Sequence, residues 1–149
     1  MNEDFVPFEL AVKLEEKGFN EPCYGYYHRD GGDDSFELCG DRDFQNSKNQ
    51  YRVAAPTIPQ VLKWLREEKN IDIEIHADVG MLGIKVYSPY ICTYTEFALE
   101  TSPDVVRYRQ KKFNPTTRLP HEIIPAHVHF KEWEQAALAG IEYVLDNLI

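Results

Sequence analysis

The chain has 149 residues, of which 43% are hydrophobic, 13% aromatic and 28% charged, and its formal net charge is −9. That length supports one domain with a real core, and the apolar content excludes a disordered chain. The acidic balance disfavours nonspecific binding to nucleic acid or anionic membranes, and no apolar run approaches the roughly 20 residues of a membrane span.

The opening residues, MNEDFVPFEL, are acidic and lack a basic segment followed by an apolar core, so they do not read as a secretory signal. A first helix is predicted from Pro7 to Lys17. Leu10, Ala11, Val12 and Leu14 supply its apolar side, and Glu9, Lys13, Glu16 and Lys17 its wet one. Gly18 suits the left-handed position that ends a helix, and Phe19 can fold back onto the last turn. CYGYYH (23–28) and SFELCG (35–40) read as two strands joined through RDGGDDS, a strong turn, and hence as a hairpin. Asp30, Asp33 and Asp34 lack the spacing and the flanking helices of an EF-hand, and read as a solvated turn. DRDFQNSKNQYRVAAP (41–56) is polar and irregular, a candidate mobile loop with room for a short strand at Tyr51–Val53.

The next helix is the best specified. Thr57 is a suitable N-cap, Gln60 stands three residues on as a capping box requires, and Pro59 lies in the first turn, where its missing N–H does no harm. Ile58, Val61, Leu62 and Leu65 recur at helical spacing, widened by Trp64. Lys63, Arg66, Glu67, Glu68 and Lys69 lie outside, and Asn70 can end the helix. Ile71, Ile73 and Ile75 then alternate with Asp72, Glu74 and His76, the pattern of a strand buried on one face. ADVG (77–80) reads as a turn. Leu82, Ile84 and Val86 alternate in a further strand that Ser88–Pro89 closes, and YICTYTEF (90–97) suits another. Residues 98–130 carry Pro103, Pro115, Pro120 and Pro125 and read mostly as loop. The last helix runs from near Lys131 to Leu148, with a stripe of Trp133, Ala137, Ile141, Val144 and Leu148. Gly140 inside it costs about 1 kcal/mol relative to Ala and points to a close approach by another element.

The order is α-β-β-α-β-β-β-α. It implies an α+β fold, with a mainly antiparallel sheet of about five strands and three helices packed on one face. A single domain over residues 1–149, with a long proline-containing loop near 98–130, is the expectation.

Three cysteines, Cys23, Cys39 and Cys92, form no CxxC pair, and the odd count argues against a disulfide framework or a zinc ribbon. A reduced, cytoplasmic setting follows. None has a histidine beside it in sequence, so small buried side chains fit better than nucleophiles.

Two segments hold residues with chemical potential. In HVHFKEWE (127–134), His127 and His129 share a face if the piece is extended, and with Glu134 they could hold a divalent metal. The H-x-H-x4-E spacing resembles the cupin metal motif over eight residues, but the flanking glycines are out of place and Glu134 opens a strong helix where a strand is needed. In the basic segment 107–118, Arg107, Arg109, Lys111, Lys112 and Arg118 meet no acid, and Tyr108 and Phe113 interleave, a pattern able to grip a nucleic-acid strand. The same cations could lie against an acidic surface of this chain or of a second copy; the first fifty residues hold twelve acids against five bases. There is no G-x-S-x-G, no H-E-x-x-H, no P-loop and no dinucleotide glycine loop, so no cofactor is implied.

FELAVKLEEKGFNEPCYGYY (8–27), APTIPQVLKWLREEKNIDIEI (55–75) and EQAALAGIEYVLDNLI (134–149) together resemble a family of small proteins of Bacteroides-type bacteria, their phages and integrated elements. The resemblance implies a cytoplasmic protein of mobile-element origin and carries no assigned activity or site residues. The expectation is therefore a non-catalytic module that binds another macromolecule, a protein above all, including a second copy as a homodimer. Tyr24, Tyr26 and Tyr27 are its candidate partner surface. Nucleic-acid binding through 107–118 and a metal-dependent enzyme centred on His127 and His129 are the alternatives; a membrane partner is not expected.

Overall fold

The structure, a computed structural model, describes residues 4–79, 81–99, 102–113 and 130–149. Three helices and antiparallel strands make an α+β fold in nearly the expected order. The strands number six among the described residues and form two three-stranded sheets rather than one sheet of about five. The chain resolves into two compact units, Met1–Trp64 with Ile141–Ile149, and Leu65–Gly140.

In the first unit, helix α1 (Phe8–Glu16) buries Leu10, Ala11 and Leu14. Its N-cap position is Pro7, which has no side-chain acceptor to offer. The cap comes from a distance instead: Asp33, in the hairpin turn, accepts the Phe8 N–H at 2.8 Å. A carboxylate there also complements the positive end of the helix dipole. At the other end Gly18 takes φ 92. Its N–H reaches Glu15 O at 3.0 Å, and the Phe19 N–H reaches Leu14 O at 2.9 Å. These are the two bonds of a Schellman stop. Phe19 is thereby turned back and packs edge-on against Trp64 at 5.4 Å.

Strand β1 (Gly25–His28) lies between β2 (Glu37–Leu38) and β3 (Arg52–Ala55), antiparallel to both. The expected hairpin is present, with a short 3-10 turn at Gly32–Ser35 in its loop. The irregular segment before residue 56 holds β3 as well, and Asn46 fastens it. This buried side chain donates to Phe19 O at 2.8 Å and accepts the Ala54 N–H at 2.7 Å.

Helix α2 (Ile58–Lys69) starts with the expected capping box. The Thr57 N–H donates to Gln60 Oε1 at 3.0 Å, and the Gln60 N–H to Thr57 Oγ1 at 3.4 Å. Ile58, Val61, Trp64 and Leu65 are buried. Asn70 ends the helix at φ 54, a conformation Asn tolerates better than most residues.

In the second unit, β4 (Ile71–Val79), β5 (Lys85–Leu99) and β6 (Ser102–Phe113) form an antiparallel sheet in that order. Three expectations are corrected. Ala77, Asp78 and Val79 continue β4 instead of turning. Ser88–Pro89 does not end a strand, because β5 runs through it for 15 residues. The ladder to β6 begins only at Ile91, so the missing N–H of Pro89 falls outside it. The expected loop near 98–130 contains the 12-residue strand β6, an edge strand among the described residues, and its Pro103 stands near the start, where proline is tolerated. Of that expected loop, residues 100, 101 and 114–129 lie outside the described ones.

Helix α3 (Trp133–Asn147) shows why Gly140 is glycine. A Cβ there would stand 3.0 Å from Ile73 Cγ2 and 3.2 Å from Pro89 Cβ. The close approach inferred from the sequence is thus to β4 and β5. No described helix is long and apolar enough to cross a membrane.

Candidate functional site

Alternation along β1 sends Gly25 and Tyr27 into the core and Tyr26 and His28 to the other face of the first sheet. Tyr27 is fully buried, and its hydroxyl donates to Val6 O at 2.6 Å. Burial pushes its phenol up to about 12. It is a core residue and not the surface residue expected; of the three tyrosines, Tyr24, 64% exposed, and the half-buried Tyr26 reach the surface.

Tyr26 is the centre of a polar cluster. Its hydroxyl donates to Glu37 Oε2 at 2.5 Å, and His28 Nε2 stands 3.3 Å from the same oxygen. The Arg52 guanidinium lies 4.5 Å above the Tyr26 ring. The Tyr26 hydrogen bond, and then His28, hold the Glu37 carboxyl below its ordinary value; the same bond holds the Tyr26 phenol above its own. A carboxylate that keeps its charge and a phenol that keeps its proton are poorly suited to proton transfer near neutrality. Cys39 borders this face, and its N–H donates to Tyr24 O at 2.6 Å. Burial pushes the Cys39 thiol up and that of Cys23 up to about 12, the opposite of an activated nucleophile.

The second unit carries a different kind of surface. Beyond Ile75 the β4–β5 ladder continues as an arm whose residues His76–Val79 are exposed. At its end, the turn Met81–Gly83 holds Leu82 at φ 69, ψ 16. The neighbouring Gly83, at φ 71, meets no steric penalty, whereas a leucine in this region is disfavoured by roughly 1–2 kcal/mol. Leu82 is 95% exposed, and Val79 (67%) and Ile84 (51%) flank it. Along β4 the two faces differ. Ile71, Ile73, Ile75, Ala77 and Val79 take one side, the side Gly140 meets at Ile73; Asp72, Glu74, His76 and Asp78 take the other. His76 Nε2 lies 3.0 Å from Glu74 Oε2, with its ring 4.4 Å from that of Tyr90.

The candidates from the sequence fall as follows. Arg107, Arg109 and Lys111 occupy alternate positions of β6, opposite Phe97, Thr95 and Thr93; Lys112 falls at the other parity, opposite Cys92. Arg118, His127 and His129 lie outside the described residues. Glu134 is in the first turn of α3, helical as its own sequence implied. Among the described residues, no group of three His, Cys, Asp or Glu is placed to hold a metal.

Sequence reasoning missed Arg52 on its tyrosine platform and the apolar apex. The signal for the apex was present: Met-Leu-Gly-Ile stands where turn chemistry calls for Asn, Asp, Ser or Pro. Leu82 and Ile84 read as strand positions because alternation alone cannot tell a strand from the turn at the end of an arm. The chain matches no protein-family model, no curated protein and no solved structure.

Proposed function

We propose that this protein is a non-catalytic protein-binding module whose contact element is the apex of the β4–β5 arm. The observation that carries the reading is Leu82, exposed and held at a positive φ between two further exposed apolar side chains. A backbone outlier that presents an anchor is what a recognition loop needs. Burying one leucine in a partner's pocket is worth roughly 1.5–3 kcal/mol, and a few such anchors dominate most interfaces. The occupant of this knob is an apolar pocket on another protein. Asp72, Glu74 and Asp78 on the same arm disfavour an anionic membrane. A cytoplasmic setting and a mobile-element origin belong to the same proposal and rest on the cysteine pattern and the family resemblance.

The test is quantitative capture from a lysate of the source organism, comparing the natural protein with Leu82→Asp, Leu82→Gly and Leu82→Met, each checked for folding by circular dichroism. Recovery of the bound partner is expected to fall at least tenfold for Asp and Gly and to survive for Met. Equal recovery by all four proteins contradicts the reading.

The β6 register favours one second reading, nucleic-acid binding, because Arg107, Arg109 and Lys111 take alternate positions of a strand that is at the sheet edge among the described residues. Titration with a labelled single-stranded oligonucleotide at about 50 and 200 mM salt tests it. Affinity unchanged by Arg107→Ala with Arg109→Ala counts against it.

A further inference from the structure

We infer that the outer edge of β4 docks an extended protein segment in which basic and apolar residues alternate. The inference rests on the protein-binding reading but uses the strand edge and not Leu82.

Among the described residues β4 is an edge strand, paired only with β5. It runs nine residues in unbroken register, whereas the β5–β6 ladder carries a shift between Phe97 and Leu99. Edge strands are ordinarily blunted by proline, a bulge, brevity or charged side chains. Pro103 and the register shift fall in the β6 ladder; β4 has neither, and its guard is the charge of Asp72, Glu74 and Asp78, which repels an acidic segment and admits a basic one. In an antiparallel ladder, alternate residues of an edge strand turn their N–H and C=O groups away from the neighbour, and these groups form a template for one more strand.

The side chains specify which strand fits. A strand added to β4 places its residues directly opposite those of β4, face by face. On one face they meet Asp72, Glu74, His76 and Asp78, three acids in four positions. Glu74 shares this row with His76, its ion-pair partner, while Asp72 and Asp78 face Cys92 and Val86 of β5, neither of them basic. On the other face they meet Ile73, Ile75, Ala77 and Val79. Lysine or arginine at every second position, with β-branched or other apolar residues between, satisfies both rows. A second copy of β4 does not. Paired antiparallel about Ile75, it sets Asp72 against Asp78 at both ends, and like charges directly opposite are destabilising.

The probe is a fluorescein-labelled nine-residue peptide alternating Lys and Val, titrated against the whole protein by fluorescence anisotropy. Its controls are a peptide of the same composition with the lysines and valines in separate blocks, and one alternating Glu and Val. The alternating Lys peptide is expected to bind at least tenfold more tightly than the block peptide, and the Glu peptide not at all. Glu74→Lys with Asp78→Lys is expected to weaken binding at least tenfold. Leu82→Asp is expected to leave it unchanged, so failure at the apex and failure at the edge are separately visible. Equal binding of alternating and block peptides reduces the effect to charge attraction and overturns the inference; so does indifference to the charge reversal. Concentration-dependent growth of the protein alone on a sizing column, abolished by that reversal, assigns the edge to a second copy and also overturns it.

Discussion

Asn46 illustrates how one polar side chain can organise a segment that looks unstructured in sequence. Its amide satisfies Phe19 O and the Ala54 N–H at once, in a buried position. Asn46→Ala leaves both groups without that partner. At about 1–3 kcal/mol for each buried polar group left unpaired, a loss on the order of 2–4 kcal/mol is expected in chemical denaturation. Asp33 plays a smaller part of the same kind. The sequence placed it in a solvated turn, and nothing local to residue 33 says that it reaches Phe8; Asp33→Ala is expected to cost about 0.5–2 kcal/mol, the usual worth of a helix cap. Leu82 works in the opposite direction. Leu82→Gly relieves the left-handed strain, so it is expected to leave thermal stability level or raise it by up to about 1 kcal/mol while abolishing partner capture. A residue that stability would replace and binding would keep is the signature of a contact site.

At the scale of elements, legibility follows how local the determinants are. The cap and stop of α2 are written within three residues of its ends, at Thr57, Gln60 and Asn70, and all behave as the sequence implies. Thr57→Ala is expected to cost about 1 kcal/mol, measured against natural protein by denaturant unfolding. The Schellman stop at Gly18 and Phe19 is equally local. Strand ends were less legible. Pro89 reads as a terminator, and whether a proline ends a strand depends on which neighbour lies beside it, which is a property of the register. β6 was hidden for the same reason: its proline and cations look like loop chemistry until β5 stands next to them. The split of six strands into two sheets depends on pairings between distant segments, such as Tyr27 with Val53, that periodicity does not contain. Of the candidate site, the tyrosine and arginine residues were visible as types. Their division into Tyr27 inside and Tyr26 outside required the strand face.

At the scale of the whole molecule, the polar cluster contributes to the response to pH. Glu37 sits below its ordinary value when folded, because Tyr26 donates to it and His28 adjoins it. Its contribution is present above the unfolded carboxylate's pKa and is lost as pH falls through the lower, folded one. Tyr26 is displaced upward by the same bond; its contribution is present below the unfolded phenol's pKa and is lost as pH rises through the higher, folded one. Stability from this pair is therefore flat through neutrality and falls at both extremes, and Glu37→Gln is expected to shallow the acid side of a thermal-unfolding profile. Glu37 and the arm belong to different units, so partner binding by Glu37→Gln at neutral pH is expected to match the natural protein.

The central claim is that contact with another protein is made by the arm, and photo-crosslinking from defined sites tests it most directly. A photoreactive benzoylphenylalanine is placed at Leu82 in one variant and, as control, at Tyr51, 71% exposed in the first unit, in another. Irradiation in cells of the source organism is expected to give a discrete crosslinked protein from position 82 and none from position 51. A crosslink from 51 with none from 82, or the same products from both, contradicts the account.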